Sequence, residues 1–208
     1  MTRIPDLKQV KEYFNQRIQE HGASPRGSDW NSEASQQVRF EQLLKVIEGT
    51  GPFSLLDYGC GWGALADTLA QKNIVVHYSG YDILESAISK ARQVHSGKTA
   101  LTFTSDEKQL SVYDYVVQSG IFNYRGDQSF EAWTGYVEEV LNRLNSLSRK
   151  GFSSNFLTKY SDADHMRPDL YYADPGYLFD YCKRHFSKNV ALLHDYRLYD
   201  FTIIVRKE

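Results

Sequence analysis

The stretch Asp57-Tyr58-Gly59-Cys60-Gly61-Trp62-Gly63 stands where a short apolar run, Phe53–Tyr58, gives way to a helical pattern. Glycines suit this position because the chain has to turn sharply and because a ligand can approach a backbone that carries no Cβ atoms. The stretch therefore predicts a strand–turn–helix unit whose turn binds a ligand. Short apolar runs and helical stretches alternate after it, which is typical of a parallel sheet covered by helices on both faces.

The same patterns predict seven strands and four helices from Phe53 onward. The strands are predicted over Phe53–Tyr58, Ile74–Tyr81, Leu101–Thr104, Asp114–Gln118, Gly151–Leu157, Asn189–His194 and Tyr199–Val205, and the helices over Gly63–Lys72, Leu84–His95, Phe130–Leu147 and Pro175–Phe186. Only Asp195–Leu198 separates the last two strands, which is too short for a crossover helix. We therefore expect those two strands to pair antiparallel.

Two further helices are predicted ahead of the sheet, over Leu7–Glu20 and Ser32–Ile47, with a glycine-containing loop at His21–Asp29 between them. Residues 1–51 are too few to form a core of their own. We therefore expect an N-terminal helical extension that serves as a mobile lid, followed by one domain over residues 52–208.

Composition excludes several classes of protein. The 208 residues include 24 Lys and Arg against 26 Asp and Glu, a formal charge of −2, so no bulk positive field is present to attract nucleic acid. No apolar run approaches the roughly 20 residues that cross a bilayer, and the N-terminus does not resemble a signal peptide. The two cysteines form neither a disulfide framework nor a metal motif. We expect a cytoplasmic protein with no metal, no membrane and no nucleic-acid partner, and the sequence leaves its oligomeric state open.

Asp57 indicates which of two classes of ligand the glycine turn binds. Gly59-x-Gly61-x-x-Ala64 satisfies the dinucleotide fingerprint. However, a carboxylate two residues before the first glycine repels a pyrophosphate, whereas it attracts a cofactor that carries an ammonium and a sulfonium. No Lys or Arg lies between Asp57 and Gln71, which also argues against a phosphate ligand.

Further acidic residues follow the next two strands. Asp82 ends the second strand about 20 residues beyond the glycines, where a carboxylate can bind both ribose hydroxyls, although it can also cap the helix that follows. Ile83 can lie flat on an adenine ring. Ser105 and Asp106 follow the third strand, where Asp106 either accepts the adenine amino proton or serves as a loop or cap carboxylate.

Asp57–Gly63, Asp82 and Asp106 at successive strand ends resemble motifs I, II and III of the class I S-adenosylmethionine-dependent methyltransferases, and the resemblance covers about Phe53–Lys207. It implies an α/β fold with a Rossmann-like, doubly wound seven-stranded sheet of order 3-2-1-4-5-7-6, in which strand seven is antiparallel. It also implies S-adenosylmethionine as cofactor and S-adenosylhomocysteine as product.

The resemblance assigns roles to the turn. Gly59 and Gly61 lie beneath the methionine part, Asp57 helps to anchor its ammonium, Asp82 holds the ribose and Asp106 faces the adenine. Cys60 and Gly63 belong to the same predicted cofactor loop.

The fourth strand ends in Gln118-Ser119-Gly120-Ile121-Phe122-Asn123. By the resemblance, the methyl acceptor approaches over this loop, so Gln118 and Ser119 are predicted cofactor contacts and Phe122 and Asn123 acceptor contacts. The [N/D]-P-P-[Y/F] signature of the DNA and protein-amide enzymes is absent, which disfavours exocyclic-amine or glutamine methylation. The acidic metal cluster of the catechol-type enzymes is missing as well.

A long loop, Lys159–Asp174, follows the fifth strand, and long loops are uncommon in compact domains unless they bind something. His165 is the predicted general base for a hydroxyl acceptor, with His194 as the alternative, although an exposed histidine explains His165 equally well. Arg167 either holds an anionic group of the substrate or pairs with Asp164 or Asp169. The remaining predicted substrate contacts are aromatic: Tyr160, Tyr171 and Tyr172.

Two residues of the N-terminal extension complete the predicted cofactor site. Arg39 can pair with the methionine carboxylate, or it can instead form an exposed ion pair with Glu33 or Glu41. Trp30 lies in the loop just ahead of it.

Together these features predict a methyltransferase that acts on a small-molecule or glycan acceptor, with oxygen favoured as the acceptor atom. Methylation of an amine or a carboxylate of a small metabolite is the alternative. A dinucleotide-dependent oxidoreductase and a non-catalytic cofactor-binding domain are the alternatives from other classes. The acceptor stays open because one fold supports many chemistries.

Overall fold

The computed structural model describes residues 5–28 and 32–208, so the predicted site residue Trp30 lies outside the described residues. The strands are β1 (Phe53–Tyr58), β2 (Val76–Tyr81), β3 (Leu101–Thr104), β4 (Tyr113–Gln118), β5 (Ser148–Thr158), β6 (Tyr172–Ala173), β7 (Asn189–Leu193) and β8 (Asp200–Arg206). The α-helices are α1 (Lys8–His21), α2 (Glu33–Leu44), α3 (Ala64–Gln71), α4 (Glu85–Val94), α5 (Phe130–Leu147) and α6 (Pro175–His185).

The sheet has the order β3-β2-β1-β4-β5-β8-β7, and the two-residue strand β6 pairs with β5. β8 runs antiparallel to both β5 and β7, while the other pairs are parallel. The predicted order 3-2-1-4-5-7-6 is confirmed. The sequence did not predict β6, so the sixth and seventh predicted strands are β7 and β8 of the structure. Because β1, β2 and β4 are parallel neighbours, their carboxyl ends meet at one edge of the sheet.

The central strands read as apolar runs because both of their faces are covered. Leu55 and Leu56 point to opposite faces of β1 and are both fully buried. Leu56 belongs to the larger core cluster, together with Trp133 of α5 and Leu178 of α6. Leu55 belongs to the second cluster, which includes residues of α2 and α3. The helices thus lie on both faces, as the alternation of patterns predicts.

The two helices of the N-terminal extension differ in how they pack. α2 is part of the core, with Phe40 and Leu43 buried against the sheet. α1 has no buried residue and lies over the edge of the sheet. It is held on one side by a hydrogen bond from Ser86 Oγ to Asn15 Oδ1 (2.6 Å) and on the other by two contacts, Gln9 Nε2 to Asp127 Oδ2 (2.9 Å) and a stack of Tyr13 on Tyr124 (3.9 Å between ring centroids).

Arg39 forms a buried ion pair that the sequence analysis does not predict. Its Nε and Nη2 donate to the two carboxylate oxygens of Asp200, at 3.1 and 2.5 Å, and its Nη1 donates to Ser35 O at 3.0 Å. Both partners are buried, and the pair fastens α2 to the start of β8. Among the described residues the guanidinium pairs with Asp200 rather than with Glu33 or Glu41, and its contact with the methionine carboxylate stays a prediction.

We expect Arg39→Met to lower the free energy of unfolding by about 3–5 kcal/mol, because the Asp200 carboxylate would stay buried without its counter-charge. Urea unfolding followed by circular dichroism measures this loss. The double variant Arg39→Met/Asp200→Leu is the matched control and should regain most of the lost stability, because it removes both charges. Wild-type stability in Arg39→Met would contradict the buried pair.

Candidate active site

A cavity of about 570 Å³ opens at the edge of the sheet where β1, β2 and β4 end. This volume is typical of a small-molecule site. Its wall includes seven of the predicted cofactor residues, namely Asp57, Gly59, Cys60, Gly61, Asp82, Ile83 and Ser119. Further residues that the sequence did not mark as site residues also line the cavity. They come from α1 and its N-cap (Leu7, Val10, Lys11, Phe14 and Ile18), from α2 (Gln36 and Phe40) and from α5 (Tyr136, Glu139, Val140, Asn142, Arg143 and Ser146). The spacing of the α1 residues along one helix face is the signal that can identify them.

The turn after β1 needs glycine because neighbouring loops approach its backbone. Gly59 has a φ of +87°, and a Cβ there would lie 2.2 Å from Ile121 Cγ2 of the loop after β4. Gly63 has a φ of +85°, and a Cβ there would lie 2.9 Å from His95 Nε2. The N–H groups of Gly59 and Cys60 both donate to Tyr81 O, at 2.7 and 2.9 Å. The turn thus packs between the end of β2 and the loop that follows β4.

Asp57 is a carboxylate inside the protein that lacks a counter-charge. It is 3% exposed and lines the cavity, and its Oδ2 accepts a hydrogen bond from Tyr78 Oη at 2.7 Å. No described lysine or arginine forms an ion pair with it. Burial raises the pKa of Asp57 to about 7, opposed by the hydrogen bond from Tyr78 and reinforced by the nearby charge of Asp82. A cation bound in the cavity would stabilise the ionised form.

Asp82 joins the glycine turn to the approach to α4, and its contact with the ribose stays a prediction. Its Oδ2 accepts from Gly61 N and its Oδ1 from Leu84 N, both at 2.9 Å, so it fixes the glycine turn and the approach to α4. Burial raises its pKa, and the two backbone hydrogen bonds oppose that shift. Since a carboxylate offers about four acceptor positions, both oxygens retain capacity for ribose hydroxyls. Ile83, 40% exposed, lies beside it on the cavity wall.

The Cys60 thiol is buried against this pair of acids. Burial, and then the charges of Asp57 and Asp82, raise its pKa well above its usual value. The thiol therefore stays protonated and does not act as a nucleophile.

The residues after β3 take up a local structural role. The side chain of Asp106 accepts a hydrogen bond from Lys108 N at 3.0 Å and caps the short 3-10 helix Glu107–Gln109, while Ser105 Oγ donates to Glu85. Neither Ser105 nor Asp106 is among the described residues of the cavity wall. Their neighbour Glu107 is, and it accepts a hydrogen bond from Arg143 Nε at 2.7 Å. The adenine contact of Asp106 stays a prediction.

Some residues at the end of β4 and in the loop after it are buried in the core, and others line the cavity. Gln118 is fully buried, and with its amide oxygen facing the loop it accepts from the backbone N–H of Gly120 and Ile121 at 3.0 and 2.8 Å. Phe122 is also fully buried and stacks on Phe156. Ser119 lines the cavity, and its buried hydroxyl has no hydrogen-bond partner among the described residues.

The predicted acceptor residue Asn123 is not found on the described part of the wall. Its Oδ1 is buried without a described partner, and its main-chain carbonyl accepts from Tyr171 N at 2.8 Å. This backbone contact links the loop after β4 to the loop after β5.

None of the predicted site residues in the long loop after β5 is among the described residues that line the cavity. Tyr171 is buried and its hydroxyl lies 3.0 Å from Thr134 Oγ1. Tyr172 Oη accepts from Arg167 N at 2.9 Å. The Arg167 guanidinium donates to Asp169 at 3.0 Å, which is the alternative that the sequence offered for it.

The two predicted catalytic histidines lie in an exposed aromatic cluster. The His165 ring is 5.6 Å from that of Tyr199, and the His194 ring is 6.0 Å from that of Tyr160. His165 also lies with Asp162 and Asp164, whose ligand atoms come within 4.8 Å of one another, but all three side chains are exposed. The structure does not bring either histidine to the cavity, and their role in catalysis stays a prediction.

Comparison with known proteins shows the family. A family model described as a methyltransferase domain matches residues 56–151. A protein of Mycobacterium tuberculosis named "Putative methyltransferase Rv1506c" is 46% identical over 164 residues, which is 79% of this chain and 99% of that protein. The chain belongs to the class I S-adenosylmethionine-dependent methyltransferases. S-adenosylmethionine is its cofactor.

Solved methyltransferases share the fold. Magnesium protoporphyrin IX methyltransferase from Synechocystis PCC 6803, with bound S-adenosylhomocysteine, matches with a TM-score of 0.66 and 19% identity over 97% of this chain and 100% of that one. N-methyltransferase NodS from Bradyrhizobium japonicum WM9 matches with a TM-score of 0.65 and 14% identity over 95% of this chain and 97% of that one. Within the described part of this methyltransferase, no helix is long and apolar enough to cross a membrane.

We expect Asp82→Ala to weaken S-adenosylhomocysteine binding about 10- to 100-fold, because up to two charge-assisted hydrogen bonds to the ribose are lost. Isothermal titration calorimetry measures the affinity, and circular dichroism checks the fold.

Asp174→Asn is the matched control, since Asp174 follows β6, caps α6 and is not among the described residues of the cavity wall. We expect wild-type affinity in this control. An equal loss in the control would show that the substitution acts through the fold rather than through the ribose. Unchanged affinity in a destabilised Asp82→Ala protein would show that Asp82 serves only as a cap.

Proposed function

We propose that this methyltransferase transfers the methyl group of S-adenosylmethionine to a hydroxyl oxygen of an uncharged small molecule or glycan. The observation that supports this is the lining contributed by the loop after β4. Ser119, Gly120 and Ile121 face the cavity there, and they offer one unpartnered hydroxyl and no charge. A neutral polar wall suits a hydroxyl acceptor, whereas a buried carboxylate or ammonium needs an opposite charge beside it.

We further propose the arrangement of the cofactor in the cavity. Its ammonium neutralises Asp57, its ribose hydroxyls donate to Asp82, its adenine lies against Ile83, and its methionine part passes over Gly59 and Gly61. When bound, the cofactor supplies a methyl group on a positively charged sulfur. Asp57, whose pKa in the free protein is about 7, gives up its proton when the ammonium binds.

The contribution of the protein to the rate is alignment and exclusion of water. Holding the acceptor oxygen in line with the methyl carbon and the sulfur accounts for much of the rate, because the leaving group is already a good one. A general base adds about 10²–10⁴-fold only where the acceptor loses a proton as it attacks. His165 and His194 are candidates for that role only if they reach the cavity in the complex.

We propose that α1 is the lid of this site. It contributes four side chains to the cavity wall but has no buried residue of its own, so its opening costs little. We expect amide hydrogen exchange in residues 8–21 to slow when S-adenosylhomocysteine is added, while exchange in α6, none of whose residues is among the described lining residues, stays the same. Unchanged exchange in α1 would contradict the lid.

The acceptor class is tested by transfer of a labelled methyl group from S-adenosylmethionine. Three panels are compared, namely neutral methyl glycosides and alcohols, primary amines, and carboxylic acids. We expect label in the neutral panel as an ether that survives alkali. Ser119→Ala should raise the KM of that acceptor more than it weakens S-adenosylhomocysteine binding, whereas a loss confined to S-adenosylhomocysteine would favour the cofactor contact that the sequence predicts for Ser119. Label that alkali releases would indicate a methyl ester, and label in the amine panel an N-methyl product; either would contradict the proposal.

A further inference from the structure

The indole of Trp62 presents a hydrogen-bond donor that has no partner. Trp62 follows Gly61 directly and lines the cavity, and its Nε1 is buried without a hydrogen bond to any described residue. An indole nitrogen only donates, so its missing partner has to be an acceptor. Buried donors are nearly always satisfied in native proteins, and an unpaired one beside a cavity points to a ligand.

Gln36 of α2 offers a second polar group that lines the cavity, and it is 6% exposed. The neighbouring Gln37 accepts from Thr68 Oγ1 at 2.9 Å, which joins α2 to α3, the helix that begins two residues after Trp62. Trp62 also packs against the core cluster that contains Phe40, one turn beyond Gln36.

The charges of Asp57 and Asp82 limit which part of the cofactor can lie near Trp62 and Gln36. Asp57 and Asp82 attract the ammonium and the ribose hydroxyls, and both repel a carboxylate. The carboxylate of the methionine part therefore has to point away from them. Arg39, the cation that the sequence predicts for it, lies one turn from Gln36 but is bound to Asp200.

We propose that Trp62 Nε1 and the Gln36 side-chain amide donate hydrogen bonds to the carboxylate of S-adenosylmethionine. The site then recognises a negative group with two neutral donors. Neutral donors need no counterion, so the affinity depends less on salt than it would with an arginine in their place. Lys11, an exposed cation that lines the cavity from α1, is the competing partner for the same carboxylate.

The test compares two ligands by isothermal titration calorimetry, because 5′-methylthioadenosine lacks the whole amino-acid part of S-adenosylhomocysteine. Trp62→Phe and Gln36→Leu keep much of each side chain and remove its donor. We expect each variant to bind S-adenosylhomocysteine about tenfold more weakly and to bind 5′-methylthioadenosine as the wild type does. Lys8→Met, which removes an exposed cation of α1 that is not among the described lining residues, is the control and should bind both ligands with wild-type affinity. Lys11→Met tests the competing partner and should not weaken S-adenosylhomocysteine selectively. Raising the salt from 50 to 500 mM should change the wild-type affinity for S-adenosylhomocysteine less than threefold.

Three outcomes would overturn the proposal. If both variants bind S-adenosylhomocysteine normally, the donors do not reach the carboxylate. If they weaken both ligands equally, Trp62 and Gln36 act only by shaping the wall. If Lys11→Met weakens the binding of S-adenosylhomocysteine but not of 5′-methylthioadenosine, Lys11 of α1 binds the carboxylate instead. No acceptor is present in these titrations, so their result is independent of whether the acceptor is a hydroxyl.

Discussion

The proposed active site depends on one unfavourable placement, a carboxylate at the end of the central strand that pairs with no cation among the described residues. Asp57 ends up there because β1 runs between β2 and β4, so its side chain faces other strands and loops rather than solvent. Tyr78 of β2 supplies a hydrogen bond, but Asp82 adds a second negative charge nearby. A buried charge without a partner is costly, and a cationic cofactor removes that cost.

This placement couples stability to pH and to the cofactor. The pKa of Asp57 in the folded protein, about 7, is above its ordinary value of 3.8. Its contribution to stability is therefore fully present below about pH 4 and is lost as the pH rises through 7. Above pH 7 the free protein holds an ionised, uncompensated carboxylate. A bound ammonium offsets this loss at the pH where its own charge persists, so the cofactor stabilises the fold most where the empty site is least favourable.

Much of the fold and part of the site follow from local sequence patterns. Apolar runs and turn glycines predict the strands, and the rule that parallel strands end at one edge brings Asp57 and Asp82 to one cavity. The partner of Arg39 is not local. Asp200 is 161 residues from Arg39, and no spacing rule connects them. A loop histidine such as His165 is equally ambiguous, because its position depends on how far its loop folds over the sheet. The glycine requirement at Gly59 comes from Ile121, a side chain of another loop.

The most direct test of this account is an NMR titration of the Asp57 side-chain carboxyl carbon, assigned with Asp57→Asn, in the free protein and with S-adenosylhomocysteine. The account predicts an apparent pKa of about 7 in the free protein, and a carboxyl that stays ionised to well below that pH once the ligand is bound. A pKa near 4 in the free protein would contradict it, and so would a titration that the ligand leaves unchanged.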